Sequence, residues 1–343
     1  MSRQTVSRVV NGSELVAPET RHRVLAAMHA IGYHQNRIAS SLRSGRTRTI
    51  GFVLSNVMNP FFAAELRGAQ DVVERQGYRV LVCNTDEDQE REQYYLEALH
   101  EQRVDGALVV AVSDASEMGL RALVTGGTRV VVLNRLVADI DSLSIDHPGG
   151  IQMATEHLIG HGHRRIGLVL TTRYSGQDSR VVAYRGTLAA HGIAAEPALV
   201  VSASERTDDV RARVAALLRT SPRPTGLVSV GYIVTLGVLG AAAGRGLRLP
   251  DDVGLVANTR TAWAPFVQPA LTTVSGDPYA LGVQAARVLL ARIEDNQGGA
   301  AMHTSFPNSI DVRASCGPHG ARTTPAELVS APSRPAGPAA SVA

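Results

Sequence analysis

From residue 50 onward, two patterns of apolar positions alternate. Short runs rich in Val and Ile (Ile50–Leu54, Arg79–Cys83, Ala107–Val112, Val130–Leu133) are separated by amphipathic stretches at Phe61–Gln76, Glu90–Gln102 and Glu117–Val124. The runs carry apolar residues on both faces, as strands buried on both sides must, whereas the stretches repeat at helical spacing. Together they predict a parallel sheet covered by helices, complete by about Ile145. Gly77, Gly106 and Gly127 fall at helix-to-strand joints, where a left-handed residue is useful. The alternation then restarts. Helices are expected at Gly150–Ile159, Ser179–His191, Asp208–Arg219 and Val234–Arg245, and strands at Arg165–Leu170, Leu199–Val201, Gly226–Val230 and Val253–Ala257. Leu271–Val274, a helix Pro278–Glu294 and one last strand around Ser305–Val312 follow. The fold class is therefore α/β, with two doubly wound parallel-sheet lobes over 50–317. Such a body holds its ligand at the carboxyl ends of the strands, between the lobes. Residues 318–343 are rich in Pro, Ala and Ser without periodicity and read as a disordered tail.

Before residue 50 the pattern changes. Gln4–Val10 reads as a short helix with Val6, Val9 and Val10 at core spacing. Pro18–Ile31 reads as a longer one, opened by Pro18 and closed by Gly32. Residues 1–49 hold eight Arg against Glu14 and Glu19, a balance of +6 in a chain whose net charge is +3. A basic head on a mildly acidic body is the footprint of a phosphate-contacting module joined to a sensor. No apolar run approaches the roughly 20 residues of a membrane span, and the N-terminus lacks a secretory pattern, so a cytoplasmic protein is expected. Cys83 lies in an apolar run and Cys316 near the C-terminus; they read as a buried inert thiol and a tail thiol.

Several strings resemble the lactose/galactose repressor family. Thr-Val-Ser-Arg-Val-Val-Asn-Gly (5–12) is similar to its recognition helix. Ala-Pro-Glu-Thr-Arg-His-Arg-Val-Leu-Ala-Ala-Met (17–28) and Ile-Gly-Tyr-His-Gln-Asn (31–36) resemble its third helix and exit, and residues 37–51 its hinge. Asn-Pro-Phe-Phe (59–62), Arg-Val-Asp-Gly (103–106), Glu-His-Leu-Ile-Gly-His-Gly-His-Arg-Arg-Ile (156–166) and Pro-Ala-Leu-Thr-Thr-Val (269–274) continue the match in order. The resemblance implies a homodimeric, effector-controlled transcription regulator, most often a repressor, on a pseudo-palindromic double-stranded operator. Its parts would be a partial helix-turn-helix head (1–35), a hinge helix and linker (36–49), and a periplasmic-binding-protein-like body (50–317).

It further implies that Ser2, Arg3, Gln4, Thr5, Ser7, Arg8 and Asn11 face the DNA, with Tyr33 nearby. Arg suits guanine and Gln adenine, each worth roughly 1–3 kcal/mol of discrimination. Asn36, Ala39 and Leu42 match hinge positions that enter the minor groove, with Leu42 as the apolar wedge. In the family, about one helix and a turn precede the match to Ser2, and the residue before that serine is commonly Val. A GTG codon encodes internal Val but is read as Met at a bacterial start. We therefore expect Met1 to be an internal valine of a longer protein, and the head as it stands to hold its operator weakly.

The resemblance places an effector among Phe61, Phe62, Asp86, Arg180, Tyr232, Thr259 and Arg260. The chain reads Val-Gly-Tyr (230–232) and Ala-Asn-Thr-Arg (257–260) where the family carries Ala-Asn-Asp and Gly-Phe-Asp-Asp. Two carboxylates for sugar hydroxyls are thus missing and Arg260 is gained. Two alternatives stand: an anionic effector clamped by Arg180 and Arg260, or a cleft filled by Tyr232, Trp263 and Arg260 with no effector. His157, His161 and His163 have a metal-like spacing, but their strings are ordinary structural ones in the family, so neither metal nor cofactor is expected. No nucleophile elbow, Walker loop or Gly-x-Gly-x-x-Gly is present, which argues against an enzyme. The rival reading is a solute-binding protein of the same bilobal fold without DNA binding.

Overall fold

The computed structural model describes residues 2–10, 15–31, 45–171, 178–295 and 299–317. The expected hinge positions Asn36, Ala39 and Leu42, together with Asn11, Tyr33 and the tail, lie outside the described residues. The head contributes α1 (Arg3–Val10) and α2 (Pro18–Ala30). Ser2 caps α1, its hydroxyl accepting from the Thr5 amide at 3.2 Å. The helices meet on Val9, Val16 and Val24, with Val6 and Met28 alongside. Leu25, beside Val24 on α2, is 48% exposed.

The body starts with β1 (Thr49–Leu54), α3 (Pro60–Val73), β2 (Arg79–Asn84), α4 (Gln89–Glu101), β3 (Gly106–Val110), α5 (Ser116–Thr125), β4 (Arg129–Leu133) and β5 (Asp141–Ile145). Next come α6 (His147–Gly160), β6 (Ile166–Thr171), α7 (Ser179–Ala190), β7 (Val200–Ala203), α8 (Thr207–Leu217), β8 (Gly226–Val230), α9 (Tyr232–Ala243), β9 (Gly254–Asn258) and β10 (Thr272–Ser275). The last elements are α10 (Pro278–Glu294), β11 (His303–Phe306) and β12 (Ser309–Asp311). Two six-stranded sheets result, in the orders β11-β5-β4-β3-β1-β2 and β12-β10-β9-β8-β6-β7. Among the described residues, the named strands all pair in parallel except β10 with β12.

Each central strand sorts its residues by parity. Ile50, Phe52 and Leu54 join Leu108, Val110, Val131 and Leu133 in one core, under α3 and α10. Val53, Val109 and Val132 enter the opposite core, with Leu96, Leu99, Leu120 and Leu123 from α4 and α5. The second sheet repeats the division, Leu168 and Val228 on one face, Val169 and Leu227 on the other. This burial on both faces is the physical origin of the Val/Ile-rich runs.

The lobes are not consecutive in sequence, and the first does not close at Ile145. α10 packs along α3, and β11 completes the first sheet beside β5. The expected single strand at Ser305–Val312 is two strands in different sheets, divided at Pro307 and Asn308. The chain therefore crosses between lobes three times, near Asp146, Gly276 and Asn308. The crossings are stitched together: the Asp146 amide donates to the Phe306 carbonyl at 2.8 Å, and Asn308 Nδ2 donates to the Asp146 carbonyl. Of the three joint glycines, Gly77 and Gly127 are left-handed (φ 75° and 93°), whereas at the third joint Arg103 takes that conformation (φ 49°). Gly106 is instead a strand residue, where a Cβ would meet Leu289 at 2.9 Å.

Candidate functional site

Most of the polar residues at the mouth of the cleft are there because strands end and helices begin. Asn59 caps α3, Asp146 caps α6 and Asp178 caps α7, each accepting from a backbone amide of the first turn. Within each sheet the parallel strands share one direction, and the carboxyl ends of β3, β4 and β5 and of β8 and β9 contribute to the same cavity. Between these ends lies a cavity of about 960 Å³ shared by both lobes.

Of the residues expected at an effector, Phe61, Phe62, Arg180, Tyr232 and Thr259 line this cavity. Phe61 and Phe62 meet edge to face, centroids 5.5 Å apart. Phe62 is buried in the first lobe's core while Phe61 is half-buried. Tyr232 leans on Trp263 at 6.3 Å. Arg180 is buried, and its Nη1 lies 3.3–3.4 Å from both Asp178 carboxylate oxygens. Tyr184, one turn on, fixes the base of α7 by donating to the Ile166 carbonyl at 2.6 Å.

Asp86 and Arg260 are not among the lining residues. Asp86 follows β2, the edge strand, so it sits on the flank of the sheet, where it pairs with Arg91 and accepts from Asn84 Nδ2. Arg260 follows Thr259 by one residue and is exposed, donating to Ser309 Oγ at 3.3 Å. The clamp of Arg180 with Arg260 is thus not assembled, nor does Arg260 fill the cleft.

Sequence reasoning missed Asp114, Asn134, Arg135, His147, Asn258 and Asn308, all in the lining. Asn134 and Arg135 directly follow β4, and Asn258 ends β9, so the strand-end rule could have found them. Arg135 pairs with Asp114. Asn134, left-handed at φ 61°, donates from Nδ2 to Glu65 Oε1 at 2.7 Å. Burial pushes the Glu65 carboxyl up to about 8, against a smaller lowering from the Asn134 hydrogen bond. Glu65 therefore stands protonated behind the cavity wall at neutral pH.

Among the described residues no helix is long and apolar enough to cross a membrane. In the head, Ser2, Gln4 and Arg8 are exposed and Thr5 is half-buried. Ser2 and Thr5 hydroxyls lie 2.9 Å apart. Arg3 and Ser7 lie on the same helix, α1.

Comparison with known proteins agrees with this architecture. Residues 1–36 match bacterial regulatory proteins of the lacI family, and residues 155–316 match a periplasmic binding protein-like domain. The HTH-type transcriptional regulator PtxS of Pseudomonas aeruginosa is 32% identical over 324 residues, covering 93% of this chain and 94% of PtxS. The structure of the transcriptional regulator CelR in complex with cellobiose superposes with a TM-score of 0.70 at 27% identity, covering 92% of this chain and 96% of CelR. The Lac repressor bound to ONPG shares the fold with a TM-score of 0.80 at 24% identity, over 92% of this chain and 96% of the repressor. The chain belongs to the lacI family of bacterial regulatory proteins and is an effector-controlled, DNA-binding regulator of transcription.

Proposed function

We propose that the interlobe cavity binds an uncharged, polyhydroxylated ring compound of the carbohydrate class. The observation that carries this reading is the internal pairing of the cavity's charges. Arg135 faces Asp114, Arg180 faces Asp178, and Asp146 is engaged by the Gly149 amide. What remains for a ligand is largely neutral surface, from Tyr232, Thr259 and the Oδ1 atoms of Asn258 and Asn308, whose Nδ2 groups donate to the Val274 and Asp146 carbonyls, beside the half-buried ring of Phe61. Such a lining fits hydroxyl groups on a ring with one apolar face. An anion would find each guanidinium already opposite a carboxylate. The volume lies at the upper end of the roughly 300–1,000 Å³ usual for ligand sites, which leaves room for a disaccharide or for closure onto a monosaccharide. CelR, which carries cellobiose, is a regulator of the same build.

Regulation follows from the three crossings. A ligand that prefers one interlobe angle biases that angle and, through it, the spacing of two heads in a homodimer on a pseudo-palindromic operator. In each head Arg3, Gln4, Thr5, Ser7, Arg8 and Asn11 face the DNA, with Tyr33, Asn36, Ala39 and Leu42 at the exit and hinge. The match of residues 1–36 weighs against a solute-binding protein, and its relatives being regulators weighs against turnover. The protein acts in the cytoplasm, where its operator is.

Isothermal calorimetry with panels of neutral mono- and disaccharides and of sugar phosphates tests the ligand class. Saturable binding of a neutral sugar, weakened in Arg180→Gln, is expected. Binding of sugar phosphates alone would instead mean that the arginines give up their aspartates to an anion.

A further inference from the structure

The helix α6 begins at the cavity and ends at a cluster the cavity does not use. His157 lies in its last turn and His161 is its C-cap, ring centroids 4.3 Å apart. Cys316, in the segment after β12, brings Sγ to 3.0 Å from His157 Nε2. One ligand-capable atom from each of the three lies within 4.8 Å of the other two. The His157 carbonyl, which can only accept, lies 2.8 Å from His161 Nδ1. That contact puts the His161 proton on Nδ1 and leaves its lone pair on Nε2, the arrangement that orients metal-bound histidines. Cys316, read from sequence as a tail thiol, is buried at 1% exposure, with its thiol donating to Thr272 Oγ1 at 3.0 Å. Both histidines are half-buried, so solvent reaches the cluster from their side. His163 belongs elsewhere: its Nδ1 is 3.0 Å from Thr225 Oγ1, and its ring packs against Gly226 and Gly254.

We propose that His157, His161 and Cys316 form a binding site for one borderline-soft divalent cation of the Zn²⁺ class, with water completing the coordination. Two imidazoles and a thiolate suit such an ion better than hard, oxygen-seeking cations. Metal–sulfur and metal–nitrogen bonds of about 2.3 and 2.05 Å at a tetrahedral angle place S and N about 3.6 Å apart. The His157–Cys316 pair has only to open by about half an ångström to admit the ion. Binding replaces the S–H bond with a metal–sulfur bond and releases that proton to water, while His157, whose Nε2 proton faces Sγ, shifts that proton to Nδ1 to free the Nε2 lone pair; nothing is oxidised or reduced. The ion ties the end of α6 to the segment that follows the last strand. The site is about 15 Å along α6 from His147, at 1.5 Å per residue, so it stands or falls separately from the sugar reading.

The test uses the untagged full chain, stripped with chelator, titrated with Zn²⁺ by calorimetry and with Co²⁺ by absorption. One ion per chain and a near-ultraviolet sulfur-to-cobalt charge-transfer band are expected. Cys316→Ser keeps the size of the side chain and a donor for Thr272. It should abolish the band and weaken Zn²⁺ at least about tenfold, since even outer-shell losses cost that much. His161→Gln should weaken Zn²⁺ to a similar degree, with thermal unfolding of both metal-free variants checking that they remain folded. Absence of the charge-transfer band, its survival in Cys316→Ser, or Zn²⁺ affinity unchanged in both variants would overturn the proposal. Sugar binding measured on the same variants should stay at the parent level.

Discussion

The non-consecutive lobe assignment makes a stability prediction whose sign is diagnostic. Where α10 crosses α3, Gly282 meets the backbone of Glu65: a Cβ built there would lie 2.0 Å from the Glu65 carbonyl oxygen and 2.8 Å from its carbon. Ordinary contact begins at 3.4 Å, so Gly282→Ala must push the two helices apart by more than an ångström. The obstacle is backbone, not a side chain that can swing away. The separation is felt by Leu281, Ala285 and Leu289, which are packed in the first lobe's core. Overpacking of this kind costs about 1–3 kcal/mol, and a rigid backbone obstacle puts the change at the upper end. Against it stands the gain of about 0.5–1 kcal/mol that Ala brings over Gly inside a helix. The net is a loss of about 2 kcal/mol. Gly186→Ala in α7 is the control, because nothing lies within 4 Å of a Cβ there and the residue is exposed. Only the helix-propensity gain acts on it, so it should stabilise by about 0.5 kcal/mol. Urea titration followed by far-ultraviolet circular dichroism reads both. If Gly282→Ala matched the parent, or shifted in the same direction as Gly186→Ala, the packing of α10 on the first lobe would be refuted.

Three further outcomes follow from single side chains. Glu65 has a folded-state pKa near 8 against an unfolded value near 4.5, so the folded state binds the extra proton between them. Its stabilisation is complete below about 4.5 and is lost as pH rises through about 8, at up to about 1.4 kcal/mol per pH unit. Glu65→Gln, which mimics the protonated form, should match the parent at pH 5 and exceed it by a few kcal/mol at pH 9; an equal gap at both, in denaturant midpoints, would contradict the raised pKa. Arg180→Gln breaks the pair with Asp178 and leaves that carboxylate uncompensated in the cavity lining, which should weaken a bound sugar by about 1.5–3 kcal/mol, seen as a ten- to hundredfold rise in calorimetric Kd. Tyr184→Phe loses the 2.6 Å bond to the Ile166 carbonyl in a fully buried setting and should cost about 1–2 kcal/mol in unfolding free energy, with no change in operator sequence preference by band shift.

What could be read in the sequence was what short-range periodicity records. The Val/Ile runs and amphipathic stretches gave most strands and helices to within a residue or two, because burial on both faces of a strand leaves a local mark. β5 is the exception: Asp141–Ile145 alternates Ser with Leu and Ile, a strand signal too short to stand out from the loop before it. Which sheet an element joins leaves no such mark. α10 is equally amphipathic whichever lobe it covers, so the crossings at Gly276 and Asn308 were invisible. Pro307 was the one available hint that Ser305–Val312 is two strands. The site was legible to the same depth. Phe61, Phe62, Arg180, Tyr232 and Thr259 line the interlobe cavity, whereas Arg260 follows Thr259 by a single residue and is outside the lining. Asp86 is off the cavity because β2 is an edge strand, a fact of sheet order that no window of sequence contains. The same limit bears on the proposed ligand class. Counting arginines near the cleft left an anion clamp and a filled cleft as alternatives; the proposal of a neutral ligand rests on which aspartate faces each arginine. Charge pairing is a property of the folded ends of strands and not of composition. The proposed effector class therefore rests on the geometry, whereas the regulator class was already written in the basic head and the bilobal body.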